Sequence, residues 1–198
     1  MERKEPSLRL FFALWPSAAE RAALAAWQPP LHERCGGRAM RADTLHATLV
    51  FLGDVAEHRL EALSLAAQET EFRGFSLSLT TACYWGHNHI VYAAPDVIPP
   101  QLADLADELG QNLRRHRFRI EQREYKPHIT LLRNAKWSDA PKPGNPLPTS
   151  GWTELTLELP PMPAVRWRVR SFALVQSLSD EQGARYKVLA RFGESALE

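Results

Sequence analysis

The chain has 198 residues, of which 44% are hydrophobic, and it carries 24 Lys and Arg against 23 Asp and Glu. A formal net charge of +1 excludes a bulk electrostatic case for nucleic-acid binding and leaves only a local basic patch. No apolar run approaches the ~20 residues of a membrane helix, and the apolar stretch after the charged N-terminus is too short for a signal peptide. The length fits one domain or two closely packed lobes.

The cysteine content indicates the compartment. Cys35 and Cys83 are far apart in the sequence and show no CxxC spacing. Such usage is typical of a reducing cytosol and argues against a disulfide scaffold or a zinc site. We therefore expect a cytoplasmic protein.

The first half of the chain alternates strands with helices. Ser17 and Glu20 form a capping-box pattern that predicts the start of a helix, and Pro29-Pro30 predicts its end. Gly53 predicts the end of the second strand. The predicted elements are a strand over 8–15, a helix over 18–27, a strand within 41–52, a helix over 56–71, and strands over 75–84 and 90–94.

The second half begins with a helix that opens at Pro99-Pro100 and runs to about residue 115, with leucines in phase on one face. A strand over 126–132 follows, and then a proline-rich loop over 134–151. Three further strands are predicted over 152–159, 166–176 and 186–192. This order indicates an α+β fold with antiparallel or mixed sheets, and no glycine-rich phosphate loop is present.

One motif occurs twice. His46-Ala47-Thr48-Leu49 and His128-Ile129-Thr130-Leu131 share the pattern His-x-Thr-Leu, 82 residues apart. With seven His and nine Thr in the chain, a Thr two places after a His is expected about 0.3 times by chance. In a strand, residues i and i+2 share a face, so each His lies beside its Thr while the residue between them faces the packing side.

These residue types suit phosphate chemistry. Two imidazoles can flank one reacting centre, one taking a proton and the other giving it, because the pKa of His lies near neutrality. Threonine hydroxyls can donate hydrogen bonds to anionic oxygens without adding charge. Arg133, five residues after His128, could add a charge-assisted contact to phosphate.

The paired motifs resemble those of the two-histidine phosphoesterase superfamily, in which each of two pseudo-symmetric lobes supplies one His-x-Thr/Ser motif. Nearly the whole chain is similar to the bacterial and archaeal RNA 2′,3′-cyclic phosphodiesterases, long called 2′-5′ RNA ligases. The resemblance is carried by four segments: RLFFALWP, LHATLVFLGD, KPHITLLR and SFALVQSLSDEQGARYKVLARF. It implies a bilobal α+β domain over 1–198, with outer helices around a central cleft.

The resemblance also implies roles for individual residues. His46 and His128 would be the acid–base pair, with His128 as the base for water and His46 as the acid toward the departing 3′-oxygen, although the two roles could be exchanged. Thr48 and Thr130 would hold phosphate oxygens, and Arg133 would lie near the phosphate. Phe11 would lie near the nucleotide. The reaction implied is metal-independent opening of an RNA 2′,3′-cyclic phosphate to a 2′-phosphate, without a cofactor.

Two other functions use the same residues. A 2′-5′ RNA ligase acting on tRNA halves would run the reverse reaction, with a ribose 5′-hydroxyl replacing water. A non-catalytic module would hold RNA ends or nucleotides without turnover. In each case the partners are RNA ends or cyclic nucleotides and not a membrane, and we expect a monomer.

Three further features have two interpretations each. His87-Asn88-His89 is a turn between strands or, less simply, a metal pair. The basic stretch from Arg114 to Lys126 is a solvated helix end or an RNA-backbone patch. The tryptophans are typical of core anchors, with Trp137 in the long loop the best candidate for base stacking.

Overall fold

The computed structural model describes residues 5–121, 124–137, 156–159, 161–180 and 183–194. Within those ranges, four helices pack around a single sheet. The helices are α1 (Ala18–Ala25), α2 (Gln28–Cys35), α3 (Leu60–Gln68) and α4 (Pro100–Arg115). The strands are β1 (Ser7–Leu14), β2 (Arg38–Ala39), β3 (Ala47–Ala56), β4 (Phe75–Trp85), β5 (Ile90–Pro95), β6 (Ile129–Arg133), β7 (Thr156–Glu158), β8 (Val165–Val169), β9 (Ser171–Asp180) and β10 (Gly183–Gly193).

The strands form one sheet in the order β10-β9-β1-β3-β6-β5-β4-β7, with β2 added on β6 and β8 added on β4. Every described strand pair is antiparallel. Around the central β3–β6 pair, β1 and β9 on one side match β5 and β4 on the other. The predicted α+β fold of two pseudo-symmetric lobes is therefore confirmed.

The sheet is strongly curled, because β8 and β9 belong to opposite lobes and only Arg170 separates them. β8 pairs with β4 in one lobe, whereas β9 pairs with β1 in the other. The prediction of one strand over 166–176 is therefore wrong. In β8 the buried side chains occupy alternate positions, Val165, Trp167 and Val169. The next buried side chain, Phe172, comes three residues after Val169, so the alternation is interrupted between the two strands.

The core lies between the sheet and its helices. Helix α4 buries the four leucines that its sequence places on one face, which confirms the predicted helix: Leu102, Leu105, Leu109 and Leu113. Ala47 and Ile129, the residues between His and Thr in each motif, are also buried in this core. Each motif is therefore fixed by a core residue on the face of the sheet opposite to its His and Thr. No helix in the described part of the chain is both long and apolar enough to cross a bilayer.

Two predicted element ends are wrong. Pro29-Pro30 does not end a helix but lies in the first turn of α2, where proline is tolerated because the first backbone N–H groups of a helix have no acceptor within it. Gly53 does not end β3 but has a φ of +71° next to a β-bulge against β1. The capping box of Ser17 and Glu20 at the start of α1 is confirmed.

The remaining elements agree in kind with their predictions. The helix predicted over 56–71 is α3, preceded by a 3₁₀ turn at Glu57–Arg59. The turn predicted at His87-Asn88-His89 joins β4 to β5. Of the predicted loop over 134–151, the part beyond residue 137 lies outside the described residues. The same holds for the first half of the strand predicted over 152–159, whose second half contains β7.

Candidate active site

The pairing of β3 with β6 brings the two motifs together. Ala47 is the backbone partner of Ile129, and both side chains enter the core. Because neighbouring residues in a strand alternate in direction, the His and Thr of both motifs share the opposite face of the sheet.

The antiparallel register also fixes how the four side chains face each other. Each histidine lies one residue before its strand, and continuing the register of the Ala47–Ile129 pair by one position sets His46 opposite Thr130 and Thr48 opposite His128. Each imidazole therefore has a hydroxyl from the other motif across from it. Two segments 82 residues apart in the chain form a single cluster in this way.

Each imidazole is held by a backbone carbonyl two residues before it. Nδ1 of His46 donates to the Thr44 carbonyl at 2.7 Å, and Nδ1 of His128 donates to the Lys126 carbonyl at 2.8 Å. A carbonyl can only accept, so the proton lies on Nδ1 in the neutral form of each ring. Proton exchange with a ligand therefore takes place at Nε2 of both residues.

Aromatic rings enclose His46. Trp15 stacks on its imidazole with ring centroids 5.3 Å apart and an interplanar angle of 12°. Phe11 and Tyr186 contact it with centroids 4.9 Å and 5.0 Å away. Phe11 lies in β1, Trp15 follows that strand and Tyr186 lies in β10. All three rings around His46 therefore come from the lobe that carries the first motif.

The second lobe encloses His128 in the same manner. Trp85 and Tyr92 meet its imidazole in edge arrangements, with centroids 4.7 Å and 5.6 Å away. They lie at the end of β4 and in the middle of β5. The approximate two-fold symmetry of the sheet therefore extends to the aromatic surroundings of both histidines.

Burial lowers the pKa of His46 to about 4, because the imidazolium loses hydration in this aromatic enclosure. Electrostatic interaction with His128 and Arg133 lowers it further, while the hydrogen bond to the Thr44 carbonyl opposes the shift. At pH 7 and without a ligand, His46 is therefore a neutral imidazole with a lone pair on Nε2.

All six residues predicted for the site line one cavity of about 280 Å³. They are Phe11, His46, Thr48, His128, Thr130 and Arg133. The sequence reasoning missed six other residues that line it: Arg9, Met40, Thr44, Phe51, Ser177 and Tyr186. Of these, Arg9 could have been predicted from the alternation of side chains in a strand, because it lies two residues before Phe11 and therefore on the same face.

A larger cavity of about 620 Å³ continues from the first. It shares Thr48, His128, Thr130 and Arg133 with the smaller cavity, but His46 lines only the smaller one. Of the basic stretch from Arg114 to Lys126, these two end residues line the larger cavity. The two cavities therefore meet at the His-x-Thr motifs, and His128 lines both of them.

Two expectations about other residues can be compared with the structure. Trp137 contacts Tyr84, with centroids 6.3 Å apart, and lines neither cavity. Trp15 and Trp85, interpreted as core anchors, instead flank the two histidines.

Within the described ranges, no three His, Cys, Asp or Glu side chains come together as a metal-binding group.

The site can therefore hold an anion between two proton-transferring imidazoles. Thr48, Thr130 and Arg133 supply donors for anionic oxygens, and Phe11 and Tyr186 supply apolar rings beside them. Such a set suits acid–base chemistry at phosphorus next to an aromatic group.

Comparisons with known proteins agree with this geometry. The 2′-5′ RNA ligase superfamily matches residues 14–181. The RNA 2′,3′-cyclic phosphodiesterase of Escherichia coli K12 is 36% identical over 137 residues, which cover 69% of this chain and 78% of that protein. A protein of the same name from Thermus thermophilus is 29% identical, with 93% of this chain and 89% of that protein covered.

A solved structure is also similar. The crystal structure of E. coli LigT complexed with 3′-AMP superposes with a TM-score of 0.77 at 31% identity and covers 95% of this chain and 98% of that one. The match to residues 14–181 includes both His-x-Thr motifs and Arg133. The chain thus belongs to the 2′-5′ RNA ligase superfamily, the two-histidine phosphoesterases.

Proposed function

We propose that this protein hydrolyses RNA ends that carry a 2′,3′-cyclic phosphate and leaves a 2′-phosphate, with His46 and His128 as the acid–base pair. The observation that carries the proposal is the meeting of the two His-x-Thr motifs on one face of β3 and β6, with both rings held through Nδ1. The relatives named RNA 2′,3′-cyclic phosphodiesterase support the reaction class.

The two cavities favour a division of labour between the histidines. The terminal nucleoside fits the smaller cavity, against Phe11 and Tyr186, where His46 also lies. Water then approaches from the larger cavity, which His128 lines. His128 takes the proton of the water as its oxygen bonds to phosphorus, and His46 protonates O3′ as the P–O3′ bond breaks.

Three side chains hold the non-bridging oxygens during this step. The hydroxyls of Thr48 and Thr130 and the guanidinium of Arg133 line the junction of both cavities. Donors fixed in advance around a phosphate stabilise the charge of the pentacoordinate transition state without reorganisation. Neither motif contains a carboxylate, and we propose a reaction without metal.

Ligand binding allows His46 to take from solvent the proton that it needs as an acid. A residue with a pKa of about 4 is neutral at pH 7, so the free protein holds no proton at Nε2 of His46. A phosphate anion beside the ring raises this pKa, because an opposite charge favours the imidazolium. Substrate binding and protonation of His46 are therefore coupled.

The test is hydrolysis of an oligoribonucleotide ending in a 2′,3′-cyclic phosphate, in the presence of a chelator, by wild type and by the His46→Ala and His128→Ala variants. We expect a 2′-phosphate product from wild type and a loss of about 10²–10⁴-fold in kcat for each variant. Bound RNA without turnover by wild type would indicate a binding module instead. Activity abolished by the chelator would contradict the metal-independent mechanism.

One observation favours ligation as a second activity. The cavity beside His128 has a volume of about 620 Å³, which leaves room for a nucleoside 5′-hydroxyl where water would attack. The same bonds would then form and break, with a 2′-5′ diester as the product. Incubation with an added 5′-hydroxyl oligonucleotide, followed by product analysis, detects this linkage, and 2′-phosphate as the sole product would contradict it.

We also propose that the chain works as one bilobal domain, as a monomer in the cytoplasm. The central sheet runs through both lobes, which supports one domain. Cys35 and Cys83 are both buried thiols, which suits a reducing compartment.

A further inference from the structure

The two cavities differ in charge. The smaller one is lined by two arginines, Arg9 and Arg133, and its described lining residues include no Asp or Glu. The larger one balances three cations, Arg114, Lys126 and Arg133, with three acidic residues, Asp107, Glu121 and Glu124. A polyanionic strand is therefore favoured in the smaller cavity and not in the larger one.

Arg9 is the second cation of the smaller cavity. It is exposed on β1, two residues before Phe11 and on the same face of the sheet, about 6.6 Å further along the strand. Its guanidinium stacks over the ring of Phe51, with 4.8 Å between Cζ and the ring centroid. Phe51 is 41% exposed and lines both cavities, so this contact holds Arg9 at their mouth.

The charge of Arg9 is available to a ligand. Asp54 is its backbone partner on β3, yet among the described residues no ion pair joins Arg9 to any carboxylate. Arginine is suited to bidentate contact with phosphate, and here its plane is fixed by an aromatic ring.

We infer that Arg9 binds the 5′-phosphate of the terminal nucleotide, the group that joins this nucleotide to the rest of the RNA. The inference rests on the proposed function. A terminal nucleotide carries a phosphate on each side of its ribose, and the smaller cavity offers one cation for each: Arg133 for the cyclic phosphate and Arg9 for the linking phosphate. Arg9 thereby makes the protein select RNA ends over free nucleoside cyclic phosphates.

The experiment compares two substrates that differ in one group. One is adenosine 2′,3′-cyclic phosphate, and the other is the same molecule with a 5′-phosphate. We expect wild type to prefer the 5′-phosphorylated substrate by about tenfold in kcat/KM, mainly through KM, since a charge-assisted hydrogen bond has this magnitude. In Arg9→Gln the ratio of the two kcat/KM values should fall to about one.

Three further variants sharpen the test. Arg191→Gln removes an exposed arginine of β10 that lines neither cavity, and it should retain the wild-type ratio. Phe51→Leu removes the ring under the guanidinium and should lower the ratio partly. Asp54→Asn removes the carboxylate of the residue that pairs with Arg9 across the strands, and it should raise the ratio of the two kcat/KM values.

The outcomes separate this inference from the proposed function. Turnover of neither substrate by wild type would overturn the proposed function. Turnover of both substrates with equal kcat/KM, or an unchanged ratio in Arg9→Gln, would overturn the role of Arg9 alone. On an oligoribonucleotide, Arg9→Gln should also reduce the slope of log(kcat/KM) against log salt by about one, as expected for one lost phosphate contact.

Discussion

His46 illustrates how a single residue's surroundings set its chemistry. The sequence predicts an imidazole on a strand face, with an ordinary pKa near neutrality. Trp15, Phe11 and Tyr186 enclose that imidazole, and the resulting loss of hydration lowers the pKa to about 4. The residue is therefore neutral in the free protein, and we expect it to gain a proton when an anion binds beside it.

This coupling can be measured by NMR titration of the His46 imidazole. We expect a pKa of about 4 in the free protein and a higher value with sulfate bound, since sulfate does not titrate in this range. The signal of His46 is assigned as the one that is absent from the spectrum of His46→Gln. A titration near 6.5 without sulfate, or no change when sulfate is added, would contradict the coupling.

Stability should depend on pH through the same residue. The pKa of His46 is lower in the folded chain than in the unfolded chain, so its contribution is fully present above pH 6.5 and is lost as pH falls toward 4. We expect the free energy of unfolding of wild type to fall over this window by up to about 3 kcal/mol more than that of His46→Gln. Urea unfolding of both proteins at pH 7, 5.5 and 4.5 measures the difference, and parallel curves would refute it.

At the scale of elements, the end of β6 is held in place by a close backbone approach. Gly37, just before β2, has a φ of +88°, and a Cβ there would lie 2.6 Å from the carbonyl oxygen of Arg133. Only glycine allows the chain before β2 to pass so near Arg133, for which we propose a contact with phosphate. The sequence gives no sign of this contact, because 96 residues separate its two partners.

Substitution of Gly37 should therefore disturb both stability and phosphate binding. Gly37→Ala should lower the free energy of unfolding by more than about 2 kcal/mol and raise KM for the cyclic phosphate, because β6 must shift together with Arg133. Gly86→Ala is the matched control, since a Cβ at Gly86 meets only an ordinary contact at 3.7 Å. Equal Cm values for the two variants in urea unfolding would contradict this explanation.

At the scale of the whole molecule, a cluster of phenylalanines joins the two lobes. Phe172, fully buried at the start of β9, lies 6.0 Å from Phe12, 6.1 Å from Phe72 and 5.3 Å from Phe192, measured between ring centroids. These rings come from β1, the segment before β4, and β10. The cluster lies beside Arg170, where the chain passes from one lobe to the other.

The lobes should therefore unfold together. We expect Phe172→Ala to lower the free energy of unfolding by about 3–5 kcal/mol and wild type to unfold in one transition by far-UV circular dichroism and tryptophan fluorescence alike. Leu65→Ala, at a position 47% exposed, should have little effect. Two separate transitions in wild type would show that the lobes are independent.

The sequence by itself determined which residues are the candidates for the chemistry of this protein. Both His-x-Thr motifs, the strand parity within each of them and the leucine face of α4 could be read directly, because the periods of strands and helices are local properties. The six residues predicted for the site all line one cavity, although Phe11 was predicted from the resemblance to the family and not from a local period. Errors fell at element ends, where Pro29-Pro30 and Gly53 allow more than one conformation and packing decides between them.

Only the tertiary structure decided what surrounds these motifs. The pairing of Ala47 with Ile129, the passage of the chain between lobes at Arg170 and the contact of Tyr186 with His46 each depend on the tertiary structure, as does the position of Arg9 in the cavity of His46. Such contacts depend on strand order and on the curl of the sheet, which no local pattern specifies. The low pKa of His46 follows from that enclosure, because hydration is lost only when several separate segments close around one ring.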